Sequence, residues 1–101
     1  MPASISEIIA NFVAFINEHG GAGDSWYVGI ASDPRDRLVR THGVQEDVDI
    51  WLFRGAPTVT AARGVLYYFV NEFGVDGGHP DDGTDEGPFV YLYKKAVTTR
   101  P

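Results

Sequence analysis

The sequence contains no cysteine. That excludes a disulfide framework, a thiolate zinc site and a cysteine nucleophile. Basic residues are scarce: eight Lys plus Arg stand against fourteen Asp plus Glu, a formal charge of −6. A surface of that average sign repels polyanions. No apolar run approaches the ~20 residues of a membrane-spanning helix. The first residues lack the basic segment and unbroken apolar stretch of a secretory leader. The expectation is a soluble, cytoplasmic protein with no membrane partner. What is present is a chain of 101 residues, 44% hydrophobic and 13% aromatic. That supports one packed interior and leaves no room for a second, so residues 1–101 read as a single domain.

Charge is unevenly spread. Between Pro34 and Gly64 lie five arginines (Arg35, Arg37, Arg40, Arg54, Arg63) and four acids. From Glu72 to Glu86 there are six acids and no Lys or Arg. The first stretch is a candidate anion contact, and the loop Asp76–Glu86 is a candidate contact for a basic protein partner. Asp81-Asp82-Gly83-Thr84-Asp85-Glu86, near His79, lacks the ligand spacing of an EF-hand, so no metal is assigned there.

Local patterning predicts three helices and three strands. Ser4-Ile5-Ser6-Glu7 has the spacing of a capping box. Ile5, Ile8, Ile9, Phe12, Val13 and Ile16 follow at helical intervals, and Gly20-Gly21 ends the run. Trp26–Ala31 reads as a strand. Asp33-Pro34 caps a short helix over Pro34–Thr41, stopped by Gly43. Val48–Phe53 is a second strand. A third helix covers Val59–Phe73, with Ala62, Leu66, Phe69, Val70 and Phe73 as its buried stripe and Gly74 as its stop. Gly74–Pro88 is a long loop, and Phe89–Lys95 is the last strand. The order α-β-α-β-α-β predicts an α/β (α+β) fold, a small three-stranded, mainly antiparallel sheet flanked by helices.

One stretch carries a resemblance. Trp26–His42 reads WYVGIASDPRDRLVRTH: Tyr27-Val28-Gly29 ends a strand, and ten residues after Tyr27 comes Arg37 on the next helix. This resembles the second half of the GIY-YIG nuclease domain, with Tyr27-Val28-Gly29 in place of the YIG element. The strand and long helix downstream follow that family's order, and the likeness covers about half the chain. It implies that Tyr27 and Arg37 belong to a phosphodiester-hydrolysing site. There an arginine fork contacts phosphate oxygens and a tyrosine orients or deprotonates water beside a divalent metal. Arg40, His42 and Arg63 are candidate binding residues with Gly29. The family's histidine, fourteen residues after the YIG tyrosine, falls at Thr41, with His42 one place late.

The sequence also departs from the family. The position resembling its metal-binding glutamate is Leu66, which cannot hold Mg²⁺. The family's first strand is missing upstream of Tyr27, while Phe89-Val90-Tyr91-Leu92-Tyr93-Lys94 resembles it. A circularly rearranged domain is therefore expected, with the last strand beside Trp26–Ala31 and Tyr91 beside Tyr27. Three functional readings follow. The first is a domain without nuclease activity that keeps a Tyr27–Arg37–Tyr91 pocket for a phosphate-bearing ligand, a nucleic acid or a partner protein, with no cofactor. The second is a pure interaction module using the acidic loop. The third is an active nuclease using Mg²⁺ or Mn²⁺.

Overall fold

A computed structural model of the chain describes residues 4–77 and 87–99. The elements run α1 (Ile5–His19), a 3₁₀ turn (Gly23–Ser25), β1 (Trp26–Ala31), α2 (Pro34–Asp36), a π-helical turn (Arg37–Thr41), β2 (Trp51–Gly55), α3 (Val59–Glu72), β3 (Asp76–Gly77) and β4 (Phe89–Lys94). The class is α+β, as the order predicts. The sheet, however, has four strands rather than three and is mixed, in the order β2-β4-β1-β3. The added strand is the two-residue β3, parallel to β1 within the stretch the sequence presents as loop. Nothing so short carries an alternation that could announce it.

Each helix starts where its capping chemistry says. Ser4 Oγ accepts from the Glu7 N–H at 3.2 Å, and Glu7 Oε1 accepts from the Ser4 N–H at 3.1 Å. Asp33 Oδ1 accepts from the Asp36 N–H, and Thr58 Oγ1 from the Ala61 N–H. Gly20, Gly43 and Gly74 have φ of 77°, 71° and 68°, the left-handed region in which a helix can end without a Cβ clash. At the end of α1, the Trp26 indole N–H donates to the Gly20 carbonyl and Lys94 Nζ to the His19 carbonyl. Lys94 thus satisfies the final carbonyl of the helix, and Trp26 that of the cap residue.

Several boundaries differ from the sequence expectation. β2 begins at Trp51, not Val48, because Gln45–Asp49 closes into a turn in which Asp49 Oδ2 accepts from the Gln45 N–H at 2.8 Å. β4 ends at Lys94 and α3 at Glu72. Ile5, expected in the apolar stripe of α1, is 42% exposed.

Strand alternation divides the interior. Val28, Ile30, Val90 and Leu92 face α1 and α3, forming an apolar core with Ile8, Phe12, Ile16, Val65, Leu66 and Phe69. Tyr27, Ala31, Tyr91 and Tyr93 face the other way, toward Leu38 and Val44. The first core is built almost wholly from apolar groups, with the Trp26 indole among them, so truncations there create cavities: Leu66→Ala is expected to lose about 2–5 kcal/mol in urea unfolding.

The capping box gives a second prediction. Hydrogen bonds from the Ser4 backbone and side chain hold the Glu7 carboxyl below its ordinary 4.5. A lowered folded value means the box helps the fold above pH 4.5 and stops helping as pH falls through the lowered value. In Ser4→Ala, NMR titration should find Glu7 back near its ordinary value.

Candidate functional site

The site begins with two strands that the sequence keeps sixty residues apart. β1 and β4 pair antiparallel, with Tyr27 opposite Tyr93 and Gly29 opposite Tyr91. The expected placement of the last strand beside Trp26–Ala31 is thus observed. Directly opposite residues share a face, so Tyr27, Tyr91 and Tyr93 stand together. A Cβ at Gly29 would overlap the hydroxyl and ring of Tyr91. Gly29 therefore provides the floor on which the Tyr91 ring lies. The Tyr27 ring is 6.5 Å from that of Tyr91 and 5.3 Å from that of Tyr93, near-parallel to both.

His42 closes the group from the opposite layer. It is 3% exposed. Its Nε2 lies 2.8 Å from the Tyr91 hydroxyl, and its Nδ1 lies 3.3 Å from the Tyr93 hydroxyl. Its ring centroid is 4.7 Å from that of Tyr27. A neutral imidazole has one N–H and one lone pair in its plane, so one phenol donates to it and the other accepts. Burial above all, then the neighbouring Tyr27 and Tyr91 phenols and Asp76, raises the Tyr93 hydroxyl well above its ordinary pKa. Tyr93 thus stays a neutral donor and acceptor at physiological pH.

The turn that delivers His42 is not α-helical. The His42 N–H donates to the Arg37 carbonyl at 3.2 Å, an i→i+5 bond. In an α-helix, five residues would set His42 about 140° past Arg37. The π-turn wraps one more residue into the turn and leaves the two stacked one turn apart. This corrects the expectation of a single regular helix over Pro34–Thr41. Schellman-like closure follows, with Gly43 at positive φ and the Val44 N–H bonded to the Leu38 carbonyl.

The other candidates separate. Tyr27, Gly29, His42 and Tyr91 converge, and Arg37 lies half-buried one turn from His42. Arg40 points away, largely exposed, with its Nε 2.9 Å from Asp36. Arg63 belongs to α3, the layer on the opposite side of the sheet. Leu66 is on that side too, 1% exposed within the apolar core. It is a packing residue whose position does not look toward the tyrosines. The expected acidic contact loop is described only in part: Asp76 pairs with Lys95 at 3.1 Å, and His79 with Asp81, Asp82, Asp85 and Glu86 lies outside the described residues. Among the described residues, no three His, Cys, Asp or Glu are grouped to hold a metal, and no helix is long and apolar enough to cross a membrane.

Two features went unread in the sequence. Tyr93 was legible: in FVYLYK it alternates with Tyr91 and so shares its face. The other is a cleft of about 300 Å³ beside the π-turn, lined by Asp33, Arg35, Asp36, Val39, Arg40 and Glu46. There Arg35 Nε pairs with Glu46 at 3.3 Å, and its guanidinium lies 5.7 Å from the Trp51 ring centre. No family model matches this chain, and neither does any curated protein or solved structure.

Tyr91→Phe strips a buried histidine nitrogen of its partner and should lose about 1–3 kcal/mol in urea unfolding. His42→Ala should cost at least as much. The double variant should lose clearly less than the sum, since both substitutions remove one interaction; simple additivity would disprove the coupling. At high pH, the raised folded value of Tyr93 stabilises the fold below its ordinary 10.0 and ceases to do so as pH climbs through the raised value. Tyr93→Phe should blunt alkaline unfolding followed by circular dichroism.

Proposed function

We propose that this chain is a circularly rearranged GIY-YIG-like domain that binds rather than cuts. The pairing of the Tyr91 strand with the Tyr27 strand supports this reading, as does the stacking of Arg37 and His42 one turn apart on the element that follows. In the family that relation spans four residues; here it spans five, and the π-turn restores it.

The observation that carries the loss of hydrolysis is the closure of the hydroxyls. Tyr91, 1% exposed, is 2.8 Å from a His42 that is itself buried. A phenol engaged in this way does not orient water at a scissile phosphate. Leu66 behind the sheet leaves the family's glutamate without a counterpart beside the tyrosines. The −6 charge opposes the capture of a polyanion as well. The cluster instead fastens the π-turn to two strands.

Binding falls to the surface beside that fastener. The cleft next to the π-turn carries two guanidinium groups and three carboxylates, a mixture that complements a protein surface better than a phosphate. Trp51 beneath Arg35, and Val39 at 37% exposure, add the aromatic, arginine and apolar contacts that dominate protein interfaces. A second reading, a small phosphate-bearing ligand held at Arg37, is favoured by the placement of Arg37 next to His42.

Two measurements test these readings. Incubation with single- and double-stranded DNA and RNA in Mg²⁺ or Mn²⁺ should give no product; cleavage dependent on the protein would overturn the non-hydrolytic reading. In an NMR titration with inorganic phosphate, the amides of Gly29, Arg37 and His42 should stay in place. Saturable shifts at all three would favour the phosphate ligand over the protein partner.

A further inference from the structure

The sheet has an open edge. β2 pairs with β4 on one side, and among the described residues no strand pairs with its other side. The register says which groups face outward. The Ile50 carbonyl accepts from the Lys94 N–H, and the Ala56 N–H donates to the Pro88 carbonyl. Even-numbered residues of the strand therefore turn their backbone groups toward β4, and Trp51, Phe53 and Gly55 turn theirs outward. An exposed row of this kind is a template for another strand. The segment Trp51-Leu52-Phe53 is strongly strand-forming.

One side chain interferes with that template. Arg54 Nη1 donates to the Phe53 carbonyl at 2.8 Å, the outward acceptor at the centre of the edge. Its Nε donates to Asn11 Oδ1 of α1 at 3.1 Å, which anchors the guanidinium across the strand. Both partners are neutral, so the arrangement is not an ion pair that happens to lie at the edge. An incoming strand must displace a charge-assisted hydrogen bond, about twice as strong as an ordinary one, to reach the central carbonyl.

We propose that Arg54 guards this edge, and that the strand it guards is competent to pair with β2 of a second copy of the chain. Antiparallel pairing centred on Phe53 sets Phe53 against its own copy, Trp51 against Gly55 and Leu52 against Arg54. In that register no like charges face each other, so the strand is compatible with itself once the guard is removed. The guard keeps the copies apart.

The test compares wild type with Arg54→Ala by sedimentation velocity at rising protein concentration, together with amide hydrogen exchange. Wild type should remain monomeric, with rapid exchange at Trp51, Phe53 and Gly55. Arg54→Ala should self-associate at least about tenfold more tightly, with those three amides slowed only at high concentration. A folded Arg54→Ala that stays monomeric overturns the proposal. So does association that protects other amides, and so does a wild type already paired through these three. Should Arg54→Ala not fold, Asn11→Ala releases the anchor and leaves the arginine in place. Association through the same amides then supports the guard, and a folded monomer overturns it.

Discussion

A missing side chain at position 29 organises one whole layer of this molecule. Because Gly29 has no Cβ, the Tyr91 ring can lie flat across the neighbouring strand, and its hydroxyl arrives where His42 can meet it. The imidazole then engages Tyr93 with its second nitrogen. The contact spans 49 residues of chain, so the elements it joins are held by little local structure. A methyl group at 29 would move the ring, and with it the hydroxyl that meets His42.

The two sides of the sheet are stabilised differently. Under α1 and α3 the core is apolar, with Phe12 and Phe69 rings 5.6 Å apart, and tolerates small shifts at the cost of contact area alone. Beneath the π-turn, packing is mixed with directional bonds, and each lost partner leaves a polar atom stranded away from water. Among the described residues no buried side-chain polar atom is left unsatisfied. The tyrosines and the histidine of this layer are interior. Next to them, Arg35 and Val39 are exposed, with the Arg35 guanidinium over the Trp51 ring.

Much of the fold was legible because local chemistry dictates it. Ser4 with Glu7, Asp33 with Pro34, Thr58, and the glycines at 20, 43 and 74 announce helix ends through short-range hydrogen bonds and backbone sterics. The pairing of the last strand with Trp26–Ala31 was legible only through the resemblance of Phe89–Lys94 to a strand missing upstream of Tyr27. The face on which Leu66 sits was not, because spacing along α3 gives an angle about its axis but not the layer into which the helix packs. Two-residue β3 was invisible, being a product of β1's spare edge. The start of β2 was misread because Val48 and Ile50 carry strand propensity while Asp49 closes a turn. The place of Tyr93 in the cluster follows from its alternation with Tyr91 along β4.

The extra residue in the turn from Arg37 to Thr41 bears on how a spacing pattern in a sequence is read. The i→i+5 bond sets Arg37 and His42 about one turn apart, the relation that a regular α-helix gives to residues four apart. A template that demands a fixed interval scores this as a mismatch, whereas one that compares positions around the axis does not. One inserted residue of this kind changes a spacing along the chain and leaves the spatial relation in place.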